Sequence, residues 1–160
     1  MKIRTLGRLG IVVNLLLLAS CNGHWQSAAL KPEGGCWNVK DTLRLSFESL
    51  DTVNAYALSF PLTVSEDYPY NNVYLQATLV SPSGDTAMIP AEFVLTGPSG
   101  AWLTEVNGDL ATFQLNVGDA IIFKQSGKYA VSLLHYMREG ELCGVQSVGV
   151  AIDPLPPANP

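Results

Sequence analysis

From residue 41 onward, apolar and polar side chains alternate along the chain. Large apolar residues recur at every second position within Thr42–Leu50, Tyr56–Val64 and Val73–Leu79. A period of two places successive side chains on opposite faces of a strand, so each stretch predicts a half-buried β-strand. No window of the sequence shows the period of roughly 3.6 residues that is typical of an amphipathic helix.

Turn residues connect these strands to further ones. Ser81–Asp85 has the Pro, Ser and Gly composition of a tight turn and predicts a hairpin. Further strands are predicted over Thr86–Thr96, from Trp102 to Asn107, over Phe113–Val117, Ala120–Phe123 and Tyr129–Met137, and over Val148–Ile152. Because proline cannot donate to a strand ladder, Pro61 indicates an edge position or a bulge, and Pro90 an irregularity.

The number and spacing of these strands predict the fold class. About seven to nine short strands with regular turns are typical of an all-β, antiparallel immunoglobulin-like β-sandwich. We expect this domain to span residues 40–153, followed by a Pro-rich tail over residues 154–160. A closed barrel is the alternative architecture.

Residues 1–20 have the organisation of an export signal. Three basic residues precede an apolar run that is shorter than the ~20 residues a membrane-spanning helix needs. Leu18-Ala19-Ser20-Cys21 follows and resembles a lipobox, in which the cysteine thiol receives a diacylglycerol, with palmitate an expected acyl group. We therefore predict lipid attachment at Cys21. The alternative is an ordinary secretory signal with an incidental cysteine.

Composition restricts the partners of the mature chain. Without residues 1–20 it has 140 residues, six of them basic and fourteen acidic, for a net charge of −8. Such a chain is a poor match for nucleic acid or an anionic lipid surface, so membrane attachment must come from the lipid on Cys21. Residues 21–39, which include His24 and Trp25, lack apolar periodicity and predict a tether.

The two remaining cysteines, Cys36 and Cys143, have one pairing available. An exported chain meets a compartment that permits disulfides, so they are a candidate pair. The alternative is two reduced, buried thiols that act as small apolar side chains.

Motifs that carry enzymatic chemistry are missing from the sequence. It contains no G-x-S-x-G, H-E-x-x-H, P-loop or Rossmann fingerprint. His135 falls on a predicted strand face, which is typical of a structural histidine, and Glu66 with Asp67 lacks the signature of a calcium loop. We therefore predict no catalytic residues, no metal ligands, no cofactor, no small-molecule substrate and no enzymatic activity.

The loop Glu66–Asn72 is the predicted contact region. Glu66, Asp67, Tyr68, Pro69 and Tyr70 lie between two well-patterned strands, which would hold the loop rigidly. Tyrosine combines apolar area with a polar tip and suits a protein contact, while the two acids could select a basic partner. The alternative is that the tyrosine rings cap the core.

Several stretches together resemble a known family. They are Asp67–Leu75, Pro98–Leu103, Gly127–Tyr129, Met137–Arg138 and Gly144–Gly149, and the lipobox precedes them. In this order they are similar to the GldH gliding motility lipoproteins of the Bacteroidetes.

The resemblance implies a function and a location. It implies an outer-membrane-associated lipoprotein that supports gliding motility machinery and the secretion system linked to it, with envelope proteins as partners. It implies no catalytic residues. The alternative from the residues is a cell-surface lipoprotein that binds glycan or protein through its aromatic loops.

Overall fold

Strands supply nearly all of the regular structure of the chain. The computed structural model describes residues 26–49, 52–118 and 120–156. In chain order its strands are β1 (Gln26–Leu30), β2 (Cys36–Asn38), β3 (Leu43–Ser49), β4 (Ala55–Ser65), β5 (Asn72–Val80), β6 (Thr86–Val94), β7 (Val106–Asn107), β8 (Leu110–Asn116), β9 (Ile121–Ile122), β10 (Gly127–His135), β11 (Glu141–Cys143) and β12 (Val145–Pro154). A 3₁₀ turn at Glu33–Gly35 lies between β1 and β2. Across the described residues, no helix is long and apolar enough to cross a membrane.

Two antiparallel sheets form a sandwich. The larger has the order β1-β12-β4-β8-β7, with β9 also pairing with β4, and the smaller has the order β3-β10-β5-β6. A two-stranded ladder of β2 and β11 lies at one end. This arrangement confirms the predicted antiparallel sandwich. The described residues form twelve strands rather than about seven to nine, because β1, β2 and β11 were not predicted. β2 and β11 have three residues each and β1 has five, too few to show a clear alternation.

The core lies between the two sheets. Along β3, Leu43, Leu45 and Phe47 are buried, and the residues between them are exposed. The opposite sheet contributes Phe60 from β4 and Val150 from β12, both fully buried. Burial of each large apolar side chain contributes ~1.5–3 kcal/mol. The alternation that predicted the strands is therefore also a main source of their stability.

Residues 26–38 correct one prediction. The tether was expected to continue to residue 39, but β1 pairs with β12 along its whole length, and β2 pairs with β11. Trp37 is fully buried, and its indole Nε1 donates to the Asp41 carbonyl at 2.8 Å. β1 was not predicted because only Ala28 and Leu30 turn toward the core. Two such residues in a five-residue strand give too weak an alternation to identify a strand.

Pro61 lies inside a sheet rather than at its edge. β4 pairs with β12 on one side and β8 on the other, and the β4–β12 ladder passes from Leu62–Val148 to Ser59–Ala151 across the proline. A Cβ on Gly149 would lie 3.4 Å from Cδ of Pro61. The small neighbour therefore leaves room for the ring where the ladder is interrupted. Pro90 lies in β6, which is an edge strand.

The strands run between two ends of the sandwich. At the Gln26 end, β1 and β4 begin and β12 finishes, because Gln26 pairs with Ile152 and Tyr56 with Pro154. At the disulfide end, Cys36 pairs with Cys143, next to the start of β12. β4 has 11 residues, and at ~3.3 Å per residue the two ends lie roughly 35 Å apart.

Candidate protein-contact surface

The loop between β4 and β5 lies at the disulfide end, and Tyr68 turns inward from it. Only 5% of Tyr68 is exposed, and its phenol donates to the Asn72 carbonyl at 2.9 Å. Its backbone N–H donates to the Ser65 carbonyl at 3.0 Å. Burial raises the pKa of the Tyr68 phenol, and the neighbouring Tyr70 raises it further. Tyr68 therefore caps the core, which was the alternative to a protein contact for the tyrosine rings of this loop.

Gly144 provides the surface against which Tyr68 packs. A Cβ at this position would lie 2.5 Å from Cα of Tyr68, and Gly144 has a φ of +82°, which disfavours any other residue. The Gly144 carbonyl accepts a hydrogen bond from the Ser65 N–H at 2.8 Å. The loop is thus fixed to the turn between β11 and β12 by backbone contact.

The other predicted contact residues remain on the surface. Glu66, Asp67 and Pro69 are exposed, and Tyr70 is partly buried. The Tyr70 ring meets the Tyr68 ring edge-on, with centroids 5.8 Å apart. Partial desolvation raises the pKa of Tyr70, and the nearby Glu139 carboxylate, to which its phenol is hydrogen-bonded, adds to the effect. These four residues form a rim around the buried Tyr68.

Beside this rim, the outer side of the smaller sheet carries a group of exposed apolar and aromatic residues. We call Asn72, Tyr74, Glu92, Val94 and Tyr136 the tyrosine face. Tyr74 is 41% exposed, Val94 60% and Tyr136 68%. Tyr74 pairs with Glu92 and Asn72 with Val94 across β5 and β6, and the Tyr136 N–H donates to the Tyr74 carbonyl at 2.7 Å. Three adjacent chain segments thus place their exposed side chains together.

Hydrogen bonds hold the polar part of the tyrosine face in place. The Asn72 amide donates to the Glu92 carboxylate at 2.8 Å. The Tyr74 phenol also bonds to Glu92, which raises the pKa of Tyr74, and desolvation raises it further. In return, the hydrogen bonds from Tyr74 and Asn72 lower the pKa of Glu92. Ordered aromatic rings lose little conformational freedom on binding, so this face is suited to a protein contact.

Sequence reasoning missed the tyrosine face, although a signal was present. Tyr74 occupies a position on the polar, outward side of the β5 alternation, where an aromatic side chain is a candidate contact residue. The link to Glu92 and Tyr136 depends on the register between strands, which is fixed only in the folded chain.

A disulfide joins the two strands of the short ladder, β2 and β11. Cys36 and Cys143 are bonded with an S–S distance of 2.05 Å and Cα atoms 3.8 Å apart. The alternate residues of the same two strands, Trp37 and Leu142, are paired and buried in the core. The short ladder therefore covers the end of the sandwich and is covalently closed.

His135 lies beneath Trp37 and is fully buried, with ring centroids 5.2 Å apart. Among the described residues, neither ring nitrogen makes a hydrogen bond of good geometry, and the Trp37 backbone offers only a weak one. Burial lowers the pKa of His135 below its ordinary value, and the backbone of Trp37 only partly offsets this effect. An enclosed imidazole that packs against Trp37 is a core residue, in line with the structural role expected from the sequence.

Groups that could perform metal chemistry are not assembled in the described part of the chain. Within residues 26–49, 52–118 and 120–156, no three His, Cys, Asp or Glu side chains come together to hold a metal ion. Glu66 and Asp67, considered above as calcium ligands, are exposed loop residues. The predicted lipid site, Cys21, and the residues His24 and Trp25 lie outside the described residues.

The sequence profile of the GldH lipoproteins matches residues 26–152. The chain belongs to the GldH lipoprotein family. This confirms the resemblance inferred from the motifs. The matched span runs from β1 into β12 and includes Trp37, the loop that carries Tyr68 and the whole tyrosine face. The family domain therefore begins earlier than the alternation alone indicated.

Two relatives extend the comparison. Gliding motility lipoprotein GldH from Flavobacterium johnsoniae is 28% identical over 149 residues, covering 92% of this chain and 91% of the relative. The gliding motility lipoprotein GldH homolog of Christiangramia forsetii is 28% identical over 113 residues, 70% of each chain. Among solved structures, dimeric latent PorU from Porphyromonas gingivalis aligns with a TM-score of 0.36 at 10% identity, covering 81% of this chain and 13% of PorU.

Proposed function

We propose that this GldH-family chain is a non-enzymatic, lipid-anchored protein of the outer membrane that supports assembly or operation of gliding motility machinery and the associated secretion system. Family membership and the names of both relatives support a role in motility. Lipid attachment at Cys21, predicted from the lipobox, would supply the anchor. Its partners would be other proteins of the cell envelope.

The tyrosine face is the observation that carries the binding role. Tyr74, Val94 and Tyr136 expose apolar area on a sheet whose other side packs in the core, and Glu92 fixes the Tyr74 ring by a hydrogen bond. Exposed aromatic residues on a rigid scaffold are typical anchors of protein contacts. We propose that a partner protein covers this face.

The loop rim extends the same surface. Tyr70 borders the face through the chain segment that leads into Asn72, and Glu66 and Asp67 add exposed negative charge. Charged residues at the edge of an interface mainly increase association rate and selectivity. We therefore propose that the acids select a partner with a basic patch, while the tyrosines supply most of the affinity.

A cell-surface glycan-binding role is the second candidate, because exposed tyrosine rings can also stack on sugars. The Tyr74 ring, held by Glu92, is the observation that favours it. The two candidates differ in the ligand that depends on Tyr74 and Tyr136, so one set of variants separates them.

The test uses Tyr74→Ala combined with Tyr136→Ala in the full-length protein expressed in its native cells. Loss of hot-spot side chains costs at least ~2 kcal/mol of binding energy each, so we expect loss of cell movement and of cross-linking to envelope proteins of the motility or secretion machinery. Melting temperature should change little, since surface substitutions usually stay within about 0.5 kcal/mol.

The control is Leu103→Ala, which removes a 61% exposed apolar side chain elsewhere. Movement and cross-linking should survive this change. Normal movement in the double tyrosine variant, at normal protein level, would contradict the proposal. Loss of polysaccharide binding with intact protein cross-linking would instead support the glycan-binding alternative.

A further inference from the structure

The Gln26 end of the sandwich carries exposed aliphatic side chains from three segments. Val53, before β4, is 82% exposed, Ile122 in β9 is 55% exposed, and Leu155, after β12, is 37% exposed. They surround the start of β4, because Ala55 pairs with Ile122 on one side and accepts a hydrogen bond from the Leu155 N–H at 2.8 Å on the other. Adjacent strands lie ~4.8 Å apart, so the three form one small apolar tip.

A groove continues the apolar surface beside this tip. It has a volume of about 420 Å³ and opens between the turn that follows β5 and the segment around β9. Leu79, Ile121 and Phe123 supply its apolar lining. Its polar lining comes from Ser81, Asp85, Thr86, Lys124 and Gln125. The end of the domain therefore presents exposed apolar side chains beside a partly apolar recess, rather than single scattered residues.

The segment between Cys21 and β1 limits how far the Gln26 end can lie from a lipid attached to Cys21. Only four residues separate Cys21 from Gln26, where β1 begins. Five residue steps span at most about 18 Å when fully extended. The two ends of the sandwich lie roughly 35 Å apart by strand length. A lipid on Cys21 therefore keeps the Gln26 end close to the bilayer surface, while the disulfide end can lie far from it.

We infer that the Gln26 end docks on the bilayer, with Val53, Ile122 and Leu155 entering the interfacial region. This inference rests on the proposed lipid anchor at Cys21. The flank of the domain is a poorer contact, because the outward residues of β1 are Ser27 and Ala29. Docking by the end directs the tyrosine face away from the anchoring membrane.

Apolar insertion, rather than charge, drives this contact. Among the described residues, Lys124 and Lys128 at this end are accompanied by Glu48, Asp85 and Asp153, so they supply no positive excess to attract anionic lipid. Aliphatic side chains gain by leaving water at the interface whatever the headgroup charge. Docking should therefore occur on zwitterionic vesicles and persist at high salt.

The test places a fluorophore at Ile122→Cys in the full-length, lipidated protein bound to phosphatidylcholine vesicles. Tyr136→Cys, at a 68% exposed position toward the disulfide end, is the matched control. Lipid-borne quenchers should reduce emission at position 122 several-fold more than at position 136, with no change in 1 M salt. In addition, Val53→Asp with Leu155→Asp should abolish quenching at position 122 without releasing the protein or lowering its melting temperature.

Three results would overturn the inference, and each would have a different explanation. Equal quenching at positions 122 and 136 in protein that floats with vesicles means that the domain does not dock, while the anchor stands. Protein that fails to float means that the Cys21 anchor itself is wrong. Shielding of position 122 from a water-soluble quencher before vesicles are added means that a second copy of the chain covers this end.

Discussion

The two ends of the sandwich are closed in different ways. At the disulfide end, a covalent bond joins β2 to β11, and the backbone of Tyr68 lies directly against Gly144. At the Gln26 end, closure depends on packed rings, with Phe123 and Tyr129 centroids 4.7 Å apart and Phe123 and Tyr56 centroids 5.1 Å apart. The cross-link and the backbone contact hold the disulfide end rigidly, whereas the Gln26 end leaves aliphatic side chains exposed on its surface.

Among the changes that test this difference between the two ends, removing the disulfide should cause the largest loss of stability. The bond closes a sequence separation of 107 residues. For Cys36→Ser with Cys143→Ser, the chain-entropy model gives a loss of ~4–5 kcal/mol in the free energy of unfolding. Guanidinium unfolding measures this loss, and wild-type protein in reductant should reproduce it. A change below ~1 kcal/mol would show that packing of Trp37 and Leu142 holds this end without the bond.

Truncating Tyr68 comes next. Tyr68→Ala should lower the free energy of unfolding by ~3–4 kcal/mol, because it leaves a cavity against Gly144. Tyr68→Phe keeps the ring but loses the hydrogen bond to the Asn72 carbonyl and should cost ~1 kcal/mol. The control is Tyr136→Ala, which should stay within about 0.5 kcal/mol of wild type. If Tyr68→Ala, like Tyr136→Ala, melts at nearly the wild-type temperature, Tyr68 has no core role.

His135 should make the disulfide end sensitive to acid. Because the pKa of His135 is lowered in the folded state, the unfolded chain binds more protons as the pH drops below the ordinary value of 6.5. Its contribution to stability is thus complete above pH 6.5 and is lost as the pH falls toward the lowered pKa. His135→Leu, which leaves no buried nitrogen, should flatten the unfolding free energy between pH 7.5 and 5.5 relative to wild type. Parallel pH profiles for the two proteins would contradict this assignment.

The smallest effect should come from the tyrosine face itself. Glu92→Gln removes the carboxylate that raises the pKa of Tyr74, so that pKa should fall toward 10.0. Ultraviolet titration of the tyrosines would follow this change, with Tyr74→Phe identifying the transition. Stability should change by less than about 0.5 kcal/mol. An unaltered titration curve would mean that Glu92 does not hold the Tyr74 ring.

The strands with strong alternation were predictable because their apolar residues face a core. In β3, the spacing of Leu43, Leu45 and Phe47 is enough to assign both the strand and its buried face. β1 was missed because small residues at its inward positions bury little area, and its place beside β12 comes from tertiary pairing. Local pattern therefore identified the long strands, whereas the short strand at the edge depended on the rest of the chain.

The candidate surface was predicted only in part for a related reason. The loop around Tyr68 and Tyr70 was predicted as a contact region, but nothing local distinguishes the buried Tyr68 ring from the partly buried Tyr70 ring. That choice is made by Gly144, which lies 76 residues farther along the chain and leaves space for Tyr68. Likewise, Tyr74 and Tyr136 become neighbours only through the packing of β5 against β10.

The pairing of β1 with β12 also sets the order in which this protein can fold. Gln26 pairs with Ile152, so the β1 ladder cannot form until β12, the last strand, is available. Such distant pairings carry a large loop-closure cost and slow folding. The chain therefore leaves the ribosome with its larger sheet incomplete, and β1 can join that sheet only after the C-terminal segment has been made.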